Sequence, residues 1–256
     1  MNFYPKNDKS SVIVTGACGG IGRQLVNQFT MDGYRVIAID KSEKVFDLEN
    51  CEKIQFDLFD FAKDELIRKR ESGRIFDAIY PGKLKAIINN AAEQVVKPIE
   101  EVTFEDWHRT LTVNVIAPFM LIQNFLHLLE SSKGTVVNIS SIHARLTKPN
   151  FAVYATSKSA LSGLTRLLSV ELGSRIRVNA IEPGAISTQM LESGFAGEKS
   201  ERMLLDQFHP TQRIGKPYEI TSLASYLVSS DASFINGSII SIDGGISNAL
   251  LDPSNT

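Results

Sequence analysis

Short apolar runs alternate with longer helical patterns along most of the chain, and this alternation limits the possible folds more than any other feature of the sequence. Strands that are separated by helices are joined by crossover connections, which make neighbouring strands parallel and place helices on both faces of the sheet. We therefore predict an α/β fold with a mostly parallel, seven-stranded sheet. The predicted strands are Ser11–Thr15, Arg35–Asp40, Lys53–Phe56, Leu84–Asn89, Gly134–Ser140, Ile176–Ile181 and Ser238–Ile242.

Helical periodicity fills the intervals between these strands. The helical patterns cover Ile21–Met31, Ala62–Glu71, Thr103–Glu130, Val153–Leu172 and Pro217–Ser229. The chain has 256 residues and contains no proline-, glycine- or serine-rich linker, no repeat and no low-complexity tract. Because α/β folds of this length often form one unit, we predict a single domain over residues 1–256.

Composition and charge exclude several classes of protein. Lysine and arginine number 27 against 29 aspartate and glutamate, the formal net charge is −2, and 43% of the residues are hydrophobic. This balance excludes a disordered chain, and it offers no electrostatic attraction to nucleic acid or to an anionic membrane. We therefore predict no nucleic-acid partner. We also predict no membrane partner, because no run approaches the ~18–20 apolar residues of a membrane span.

The cysteine content and the first residues favour a cytoplasmic location. Cys18 and Cys51 are the two cysteines of the sequence, which excludes a disulfide-dense secreted scaffold and fits a reducing compartment. The first residues have no apolar stretch behind a basic head, so they lack the pattern of a secretory signal peptide. The four histidines are dispersed and neither cysteine has a partner at ligand spacing, so we predict no metal site.

A glycine-rich segment, Thr15–Gly22, directly follows the first predicted strand and opens the first predicted helix. Glycines permit a tight turn and a close approach of the backbone to a pyrophosphate, while the helix N-terminus supplies oriented N–H groups and partial positive charge. A glycine cluster alone is a weak signal, because turns need glycine anyway. The strand, the glycines and the helix in register together predict a dinucleotide site.

Asp40, at the end of the second predicted strand, favours NAD over NADP as the dinucleotide. Its distance along the chain from Gly22 is close to the ~20 residues expected for the acidic residue that binds the adenosine ribose. A carboxylate accepts hydrogen bonds from both ribose hydroxyls and repels a 2′-phosphate. A solvated aspartate at a strand end is the alternative interpretation. Lys41, which follows immediately, is the one feature that favours NADP.

Tyr154 and Lys158 place a phenol and an ammonium four residues apart at the start of a predicted helix. Residues at this spacing lie on one helical face, so the two side chains can converge. A nearby cation favours phenolate and lowers the phenol pKa from its reference value near 10, which makes tyrosine a usable acid–base catalyst. A Tyr-x-x-x-Lys sequence is common by chance, so the pair is a specific signal only together with other matching residues of the chain.

With those residues included, the sequence resembles the short-chain dehydrogenase/reductase family, in its compact single-domain branch. The resemblance extends over roughly residues 10–247 and implies a doubly wound Rossmann fold. The matching residues are the glycine loop, Asp57, Asn89–Ala92, Asn114, Ser141, Tyr154, Lys158, Pro183–Gly184, Thr188, Ile235–Gly237 and Asp243–Gly245. Two departures are Ala92, where the family usually has glycine, and Glu182, where asparagine or a small residue is commoner.

The resemblance implies a role for each of four catalytic residues. Tyr154 is expected to be the general acid/base that exchanges a proton with a substrate carbonyl or alcohol. Lys158 is expected to lower the pKa of that tyrosine and to hold the nicotinamide ribose. Ser141 is expected to hydrogen-bond the reacting oxygen, and Asn114 is expected to hold a water molecule that links Lys158 to solvent.

The resemblance also implies cofactor contacts along the whole dinucleotide. The expected cofactor-binding residues are Gly16, Cys18, Gly19, Gly20, Ile21, Gly22, Asp40, Lys41, Asp57, Leu58, Asn89, Asn90, Ala91, Tyr154, Lys158, Pro183, Gly184, Ile186 and Thr188. Asn89 and Asn90 also suit a strand-to-loop turn, and both roles are expected together. The uncharged side chain of Cys18 adds to the argument for NAD.

Substrate contacts are expected from Ser141, His143 and Tyr154 and from a substrate-binding loop or lid over residues 187–210. Long segments of this kind inside compact α/β domains are often binding loops. A pair of surface helices with no function is the alternative interpretation of residues 187–210. Arg145 and Lys148, in the loop before Tyr154, favour an anionic or polyhydroxylated compound. A solvated loop with no substrate contact is an equally good interpretation of His143 and Arg145.

These residues predict an NAD(H)-dependent oxidoreductase that interconverts a secondary alcohol and a ketone on a small molecule such as a sugar, a hydroxy acid or a 3-oxoacyl compound. A nucleotide-sugar epimerase or dehydratase and a non-catalytic nucleotide-binding regulator are the alternatives. A hydrolase is disfavoured because no Gly-x-Ser-x-Gly elbow surrounds Ser141. The family resemblance further implies a homotetramer or homodimer built largely by the two longest helices and the last strand.

Overall fold

A sheet of seven parallel strands forms the centre of this computed structural model, which describes residues 10–43, 48–81, 83–193 and 199–250. The strands are β1 (Ser11–Thr15), β2 (Arg35–Asp40), β3 (Cys51–Gln55), β4 (Leu84–Asn89), β5 (Thr135–Ile139), β6 (Arg177–Pro183) and β7 (Ile239–Ile242). Their order across the sheet is β3-β2-β1-β4-β5-β6-β7, with every neighbouring pair parallel. The order reverses between β1 and β4, and ligands of such sheets bind at the carboxyl ends of the strands at this point.

Helices cover both faces of the sheet. They are α1 (Gly20–Met31), α2 (Leu58–Lys63), α3 (Glu65–Ala78), α4 (Phe104–Leu111), α5 (Ala117–Ser131), α6 (Ala152–Glu171), α7 (Gln189–Ser193), α8 (Lys199–Phe208) and α9 (Pro217–Val228). Successive strand residues point to opposite faces. Accordingly Ile13 packs in one core with Leu121 of α5, and Val14 packs in the other with Leu25 of α1. The predicted doubly wound α/β fold is confirmed, and its described residues form one domain; residues 1–9 and 251–256 lie outside them.

The helix predicted at Ala62–Glu71 is wrong in its bounds, because two helices, α2 and α3, share this region. Asp64 separates them. Its carboxylate accepts hydrogen bonds from the main-chain N–H groups of Leu66 at 2.8 Å and Ile67 at 3.0 Å. An aspartate that caps the first turn in this way starts a new helix.

The long helix predicted between the fourth and fifth strands is interrupted by a π-helical turn at Thr112–Ile116. At this turn the N–H of Ala117 donates to the carbonyl of Thr112, five residues back. Pro118 follows and has no N–H to donate. The main-chain carbonyl of Asn114, four residues before Pro118, therefore lacks its regular α-helical donor, and the helix is widened next to a predicted catalytic residue.

The connection between β2 and β3 is short. Residues 41–50 separate the two strands, and the described parts of that connection, 41–43 and 48–50, contain no helix. A connection of this length is too short for a full crossover helix. β3 begins at Cys51, two residues earlier than predicted, and β6 continues through Pro183.

One helical stretch, Phe104–Ser131, is long and apolar enough to cross a membrane by length and composition alone. The prediction that no run approaches the length of a membrane span is therefore too strong for this stretch. Half of the apolar window is buried inside the protein, where Leu121, Phe125 and Leu129 pack in the core against the sheet. The core helix of a soluble protein passes the same test, so the stretch is weak support for a membrane span.

Candidate active site

The glycine loop runs from β1 into α1 and leaves room for an anionic group. Gly16 has a φ of +63°, and a Cβ atom there would lie 2.7 Å from the Cα atom of Ala91. A Cβ atom on Gly22 would lie 2.0 Å from the carbonyl oxygen of Gly16. Gly19 caps α1 without a side-chain hydrogen bond, and the first turn of α1 contains no acidic residue. These features fit a dinucleotide pyrophosphate, because the N–H groups of the first turn have no side-chain partner within the loop.

Asn90 fixes the shape of the glycine loop. Its side-chain amide donates to the carbonyl oxygens of Thr15 at 3.0 Å and Gly16 at 3.1 Å. The hydroxyl of Thr15 accepts hydrogen bonds from the main-chain N–H groups of Asn90 at 3.0 Å and Ala91 at 3.1 Å. These hydrogen bonds connect the end of β4 to the end of β1. Asn90 therefore has the role in a strand-to-loop turn that was predicted for the Asn-Asn pair.

Asn89 points into the sheet. Its side chain is buried and donates to the Oδ1 atom of Asn138 on β5 at 2.8 Å, and Asn138 donates to the hydroxyl of Thr165 on α6 at 2.9 Å. This chain of amides joins the cofactor side of the sheet to the helix that bears Tyr154. The buried Oδ1 atom of Asn89 has no hydrogen-bond partner among the described residues, and the predicted role of Asn89 toward the ribose stays a prediction.

Asp40 ends β2 with its carboxylate held beside the glycine loop. The Oδ2 atom accepts from the main-chain N–H of Cys18 at 2.8 Å, and the Oδ1 atom accepts from the N–H of Ser42 at 2.8 Å. Burial, and secondly the charge of Asp40, raise the pKa of the Cys18 thiol, so the thiol is uncharged at neutral pH. A carboxylate oriented in this way can accept hydrogen bonds from ribose hydroxyls.

Four charged side chains form a chain of ion pairs beyond Asp40. Lys41 contacts Glu93 at 2.8 Å, Glu93 contacts Arg109 at 3.0 Å, and Arg109 contacts Asp57 at 2.7 Å. Burial raises the pKa of Asp57, but the hydrogen bonds from Arg109 and from the N–H of Phe59 outweigh it, so the net shift is downward. The sequence placed Glu93 only in a segment, Glu93–Val96, expected to influence the choice of substrate, and it did not point to Arg109. The ion pairs of both residues were not predicted, because their partners are distant along the chain.

The other predicted cofactor residues lie around the same crevice. Thr188 covers the glycine loop so closely that a Cβ atom on Gly20 would lie 2.8 Å from its Cγ2 atom. Leu58 and Ile186 are buried, and Ile21 packs against the core, so these three side chains serve packing. Gly184, after Pro183 at the end of β6, donates its N–H to the carbonyl of Ile242 on β7 at 2.9 Å.

Ser141 and Tyr154 converge at the carboxyl end of β5. Ser141 follows β5 and accepts a hydrogen bond from the N–H of His143 at 3.2 Å, while Tyr154 lies in the first turn of α6. Both side chains are buried. Burial raises the pKa of Tyr154 to about 12, and the hydrogen bond with Ser141 acts in the opposite direction. The structure therefore brings two predicted catalytic hydroxyls into contact.

Lys158 lies one helical turn after Tyr154 and is 2% exposed. Its Nζ atom donates to the carbonyl of Ile139 at 2.7 Å and lies 5.7 Å from the centre of the Tyr154 ring. Burial lowers the pKa of Lys158 to about 7. The expected lowering of the Tyr154 pKa by Lys158 is not among the causes of the tyrosine shift in this structure. Their common helical face is observed, and the electrostatic coupling stays a prediction.

Asn114 joins the two halves of the site from the π-helical turn. Its side chain is fully buried. The Nδ2 atom donates to the carbonyl of Glu93 and to the hydroxyl of Ser157, each at 2.9 Å, and the Oδ1 atom accepts from the N–H of Glu93 at 2.8 Å. The side chain is therefore structural, which leaves the main-chain carbonyl as the group for the predicted water contact.

His143 lies next to Tyr154, and its predicted substrate contact stays a prediction. Its ring stacks on Phe151 at 4.6 Å between centroids and meets the Tyr154 ring edge-on at 5.9 Å. Burial, and secondly the charge of Lys148, lower the pKa of His143, so the imidazole is neutral at pH 7. These aromatic side chains form an apolar wall next to the Tyr154 phenol.

Arg145 does not serve as a free cation for an anionic substrate, contrary to the sequence-based interpretation. Its Nε atom donates to the buried carboxylate of Glu182 at 2.9 Å, and its Nη2 atom donates to the hydroxyl of Ser241 at 2.7 Å. Glu182 also accepts from Ser162 at 3.0 Å. The unusual Glu182 therefore anchors the loop that follows Ser141.

The predicted substrate segment 187–210 is mainly helical rather than a loop. It contains α7 and α8, while residues 194–198 lie outside the described residues. Met203, Leu204 and Phe208 on α8 are at least half exposed. A cleft of about 480 Å³ lies beside it, lined by Gln24, Ser187, Asp206 and residues 213–218. Among the described residues, no group of three or more His, Cys, Asp and Glu side chains is arranged to hold a metal ion.

Known proteins match this chain along nearly its whole length. The family model described as "Enoyl-(Acyl carrier protein) reductase" matches residues 16–247. The 3beta-hydroxysteroid dehydrogenase 1 of Eggerthella lenta is 30% identical over 256 residues, which cover 95% of this chain and 96% of that protein.

Two solved structures share the fold and differ in the dinucleotide they contain. The structure of 4-hydroxyisoleucine dehydrogenase complexed with NADH has a TM-score of 0.84 and 29% identity, and the match covers 94% of this chain and 100% of that one. ElxO with NADP bound has a TM-score of 0.84 and 25% identity with the same coverage. On the family model, the relatives and the geometry of the crevice, the chain belongs to the short-chain dehydrogenase/reductase family, whose members with this fold bind NAD(H) or NADP(H).

Proposed function

We propose that the protein is an NAD(H)-dependent oxidoreductase that interconverts a secondary alcohol and a ketone on a small molecule. The observation that carries this proposal is the meeting of Ser141, Tyr154 and Lys158 in one buried site beside a glycine loop suited to a dinucleotide. A nicotinamide dinucleotide supplies or accepts the hydride when it is bound. The protein contributes orientation, exclusion of water and the movement of one proton.

Tyr154 is the group that exchanges the proton. With its pKa raised to about 12, the phenol is protonated at neutral pH, which is the form that donates to a ketone oxygen during reduction. Oxidation of an alcohol needs the phenolate, and a cation close to the ring favours that form. We assign this role to the ammonium of Lys158, 5.7 Å from the ring centre. Ser141 orients the reacting oxygen.

Proton exchange with solvent is assigned to the π-helical turn. The main-chain carbonyl of Asn114 lacks a donor at Pro118, so it can accept a hydrogen bond from a water molecule. The ammonium of Lys158 is the donor on the inner side of this path. The side chain of Asn114 keeps the turn in place through Glu93 and Ser157.

NAD(H) is the proposed cofactor, held by the glycine loop and by Asp40. The Asp40 carboxylate is oriented by two main-chain N–H groups at 2.8 Å and carries the charge that repels a 2′-phosphate. Gly20 and Thr188 lie together at the pyrophosphate side of the crevice, and the loops after β3 and β4 are assigned to adenine. The fold itself permits either dinucleotide, as the two structural neighbours show.

The substrate is proposed to bind between the aromatic wall of His143 and Phe151 and the 187–210 segment. The pairing of Arg145 with Glu182 removes one of the two cations expected to attract an anionic group, and the imidazole of His143 adds no positive charge. The exposed apolar side chains of α8 support a substrate with an apolar portion. A panel of secondary alcohols with NAD⁺, followed by the absorbance of NADH, identifies the substrate class.

Tyr154→Phe tests the reaction. Loss of the phenol oxygen is expected to lower turnover by roughly 10²- to 10⁴-fold while the dissociation constant of NADH stays within about twofold. Tyr226→Phe is the matched control, since Tyr226 is half exposed on α9 and is expected to keep full turnover. Turnover of Tyr154→Phe above a tenth of the unmodified enzyme would show that another group exchanges the proton.

A homotetramer or homodimer and a cytoplasmic location are proposed with this activity. Val170 on α6 is 84% exposed and Leu167 is 59% exposed, which supports an interface along the longest helix. Cys18 and Cys51 form no disulfide in this structure, which is compatible with a reducing compartment. Light scattering at micromolar concentration distinguishes the assembly from a monomer.

A further inference from the structure

The Lys41–Glu93 ion pair spans the carboxyl edge of the sheet at the glycine loop. Lys41 follows β2 and Glu93 lies beyond β4, and β1 lies between these two strands. The 2.8 Å contact between the Lys41 ammonium and the Glu93 carboxylate therefore passes over the end of β1, where the glycine loop begins. Lys41 is also the residue directly after Asp40, next to the position assigned to the adenosine ribose.

Glu93 is fixed from three sides. Its main-chain N–H and carbonyl are both bound by the side-chain amide of Asn114 at 2.8 and 2.9 Å. Its carboxylate accepts from the Nε atom of Arg109 at 3.2 Å and from the Nη2 atom at 3.0 Å. Arg109 is itself held by Asp57 at 2.7 Å and lies 5.0 Å from the centre of the Phe59 ring. Glu93 is thus a preorganised anion whose third partner is Lys41.

Lys41 and Lys53, on this side of the sheet, are both engaged by other groups of the protein. Lys41 pairs with Glu93, and Arg109 pairs with both Glu93 and Asp57. The carboxylate of Asp40 accepts instead from the main-chain N–H groups of Cys18 and Ser42. Lys53 also faces this side, with its ammonium donating to the carbonyl of Ser42. The cation of Lys41 is neutralised by Glu93, although its position in the sequence favours a 2′-phosphate.

We propose that Glu93 is a cofactor-specificity residue, which holds Lys41 away from the 2′-phosphate of NADP(H) and so enforces the preference for NAD(H) set by Asp40. This inference rests on the proposed use of NAD(H). Without the Glu93 charge, the Lys41 ammonium is free to pair with a phosphate next to the ribose. Asp40 then remains as the single opposing group, and discrimination weakens.

Glu93→Gln is the informative variant, because glutamine keeps the size and the hydrogen-bonding capacity toward Arg109 while removing the charge. The dissociation constants of NADH and NADPH are measured by fluorescence titration at low salt. We expect NADPH to bind roughly three- to tenfold more tightly to Glu93→Gln than to the unmodified protein, and NADH to change by less than about twofold. High salt is expected to reduce the gain, because partly exposed charges are screened.

Two further variants decide whether Lys41 carries the effect. Lys41→Met in the otherwise unmodified protein is expected to change NADPH binding little, whereas Lys41→Met combined with Glu93→Gln is expected to remove the gain. Glu52→Gln is the matched control for net charge, since Glu52 pairs with Arg35 at the start of β3, the opposite edge of the sheet. It is expected to leave both dissociation constants unchanged.

Two outcomes overturn the inference. One is an unchanged NADPH affinity in a Glu93→Gln protein that still binds NADH normally, which also shows that the variant is folded. The other is a gain that persists without Lys41, which would assign the effect to general repulsion by Glu93. Tighter binding of NADPH than of NADH by the unmodified protein would instead refute the proposed use of NAD(H). That outcome is distinguishable, because it comes from the titrations of the unmodified protein and not from those of Glu93→Gln.

Discussion

The two ends of the proposed cofactor crevice use polar side chains in opposite ways. The adenosine end consists of Asp40, Lys41, Asp57, Glu93 and Arg109, and the catalytic end consists of Asn114, Ser141, Tyr154 and Lys158. At the adenosine end, charges meet in pairs that remain partly exposed, such as Lys41 and Glu93 with 59% and 28% of their side chains accessible. At the catalytic end the side chains are at most 9% exposed.

Because of this difference in burial, we expect the charges at the adenosine end to affect the choice of cofactor and the groups at the catalytic end to affect the reaction. Partly exposed ion pairs change the free energy of unfolding by about 0–1 kcal/mol each. They can therefore influence which cofactor binds without greatly affecting the stability of the protein. Burial at the catalytic end instead shifts whole protonation equilibria, raising the pKa of Tyr154 to about 12 and lowering that of Lys158 to about 7. Variants at the catalytic end are therefore expected to have the larger effects.

Lys158→Met is expected to give the largest effect, with opposite signs for activity and stability. Turnover is expected to fall by roughly 10²-fold or more, because no cation then favours the phenolate. The melting temperature is expected to rise by a few degrees. A lysine whose pKa is lowered from 10.5 to about 7 by burial destabilises the folded state, fully below about pH 7 and progressively less as the pH rises toward 10.5.

Thermal unfolding at pH 7 and at pH 10 measures this stability difference, and Lys69→Met, an exposed lysine on α3, is the control. The gain in melting temperature is expected at pH 7 and should shrink at pH 10. The pH at which the oxidation rate is half-maximal is expected to move upward in Lys158→Met. An unchanged pH profile would show that Lys158 does not affect the phenol.

Glu182→Gln tests whether a buried charge outside the catalytic residues positions them. Glu182 is 1% exposed and bonds Arg145 and Ser162. Ser162 in turn contacts Ser140, whose hydroxyl donates to the carbonyl of Lys158 at 3.1 Å. We expect the free energy of unfolding to fall by about 1–3 kcal/mol, less than for a fully buried pair because Arg145 is half exposed. Turnover is expected to fall several-fold.

Glu130→Gln is the matched control, since Glu130 pairs with Arg175 at 2.7 Å where the two side chains are 32% and 45% accessible. Its free energy of unfolding is expected to change by less than about 0.5 kcal/mol. Urea unfolding compares the two variants, and kinetics separate kcat from KM. Equal effects of Glu182→Gln and Glu130→Gln would mean that burial of Glu182 contributes nothing to the site.

Arg109→Met is expected to give the smallest effect and tests the adenosine end directly. Loss of its pairs with Asp57 and Glu93 is expected to lower the free energy of unfolding by less than about 1 kcal/mol at pH 7, and by less at high salt. Because the pKa of Asp57 is lowered in the folded protein, its contribution is present above about pH 4 and is lost as the pH falls below that. Urea unfolding at pH 7 and pH 3 measures this, and a loss above about 2 kcal/mol would contradict it.

Much of the fold was predictable from the sequence because its signals are local. The apolar runs of the strands and the glycines before α1 act within a few residues, and they locate β1, β2 and β4 with their observed bounds. Errors occur where a single side chain changes a boundary. Asp64 starts a new helix by capping α3, and Pro118 removes a donor beside the π-helical turn.

The α/β architecture, the family and the spacing of Ser141, Tyr154 and Lys158 are predictable from the amino-acid order, because strand and helix periodicity and motif spacing are properties of neighbouring residues. Which charges meet depends instead on the three-dimensional fold. Lys41 reaches Glu93, and Arg145 reaches Glu182 rather than a substrate. The fold also determines that Lys158 is buried, which sets the direction of its pKa shift. Ion pairing and desolvation depend on distance and solvent exposure in space, and the order of residues along the chain does not specify either.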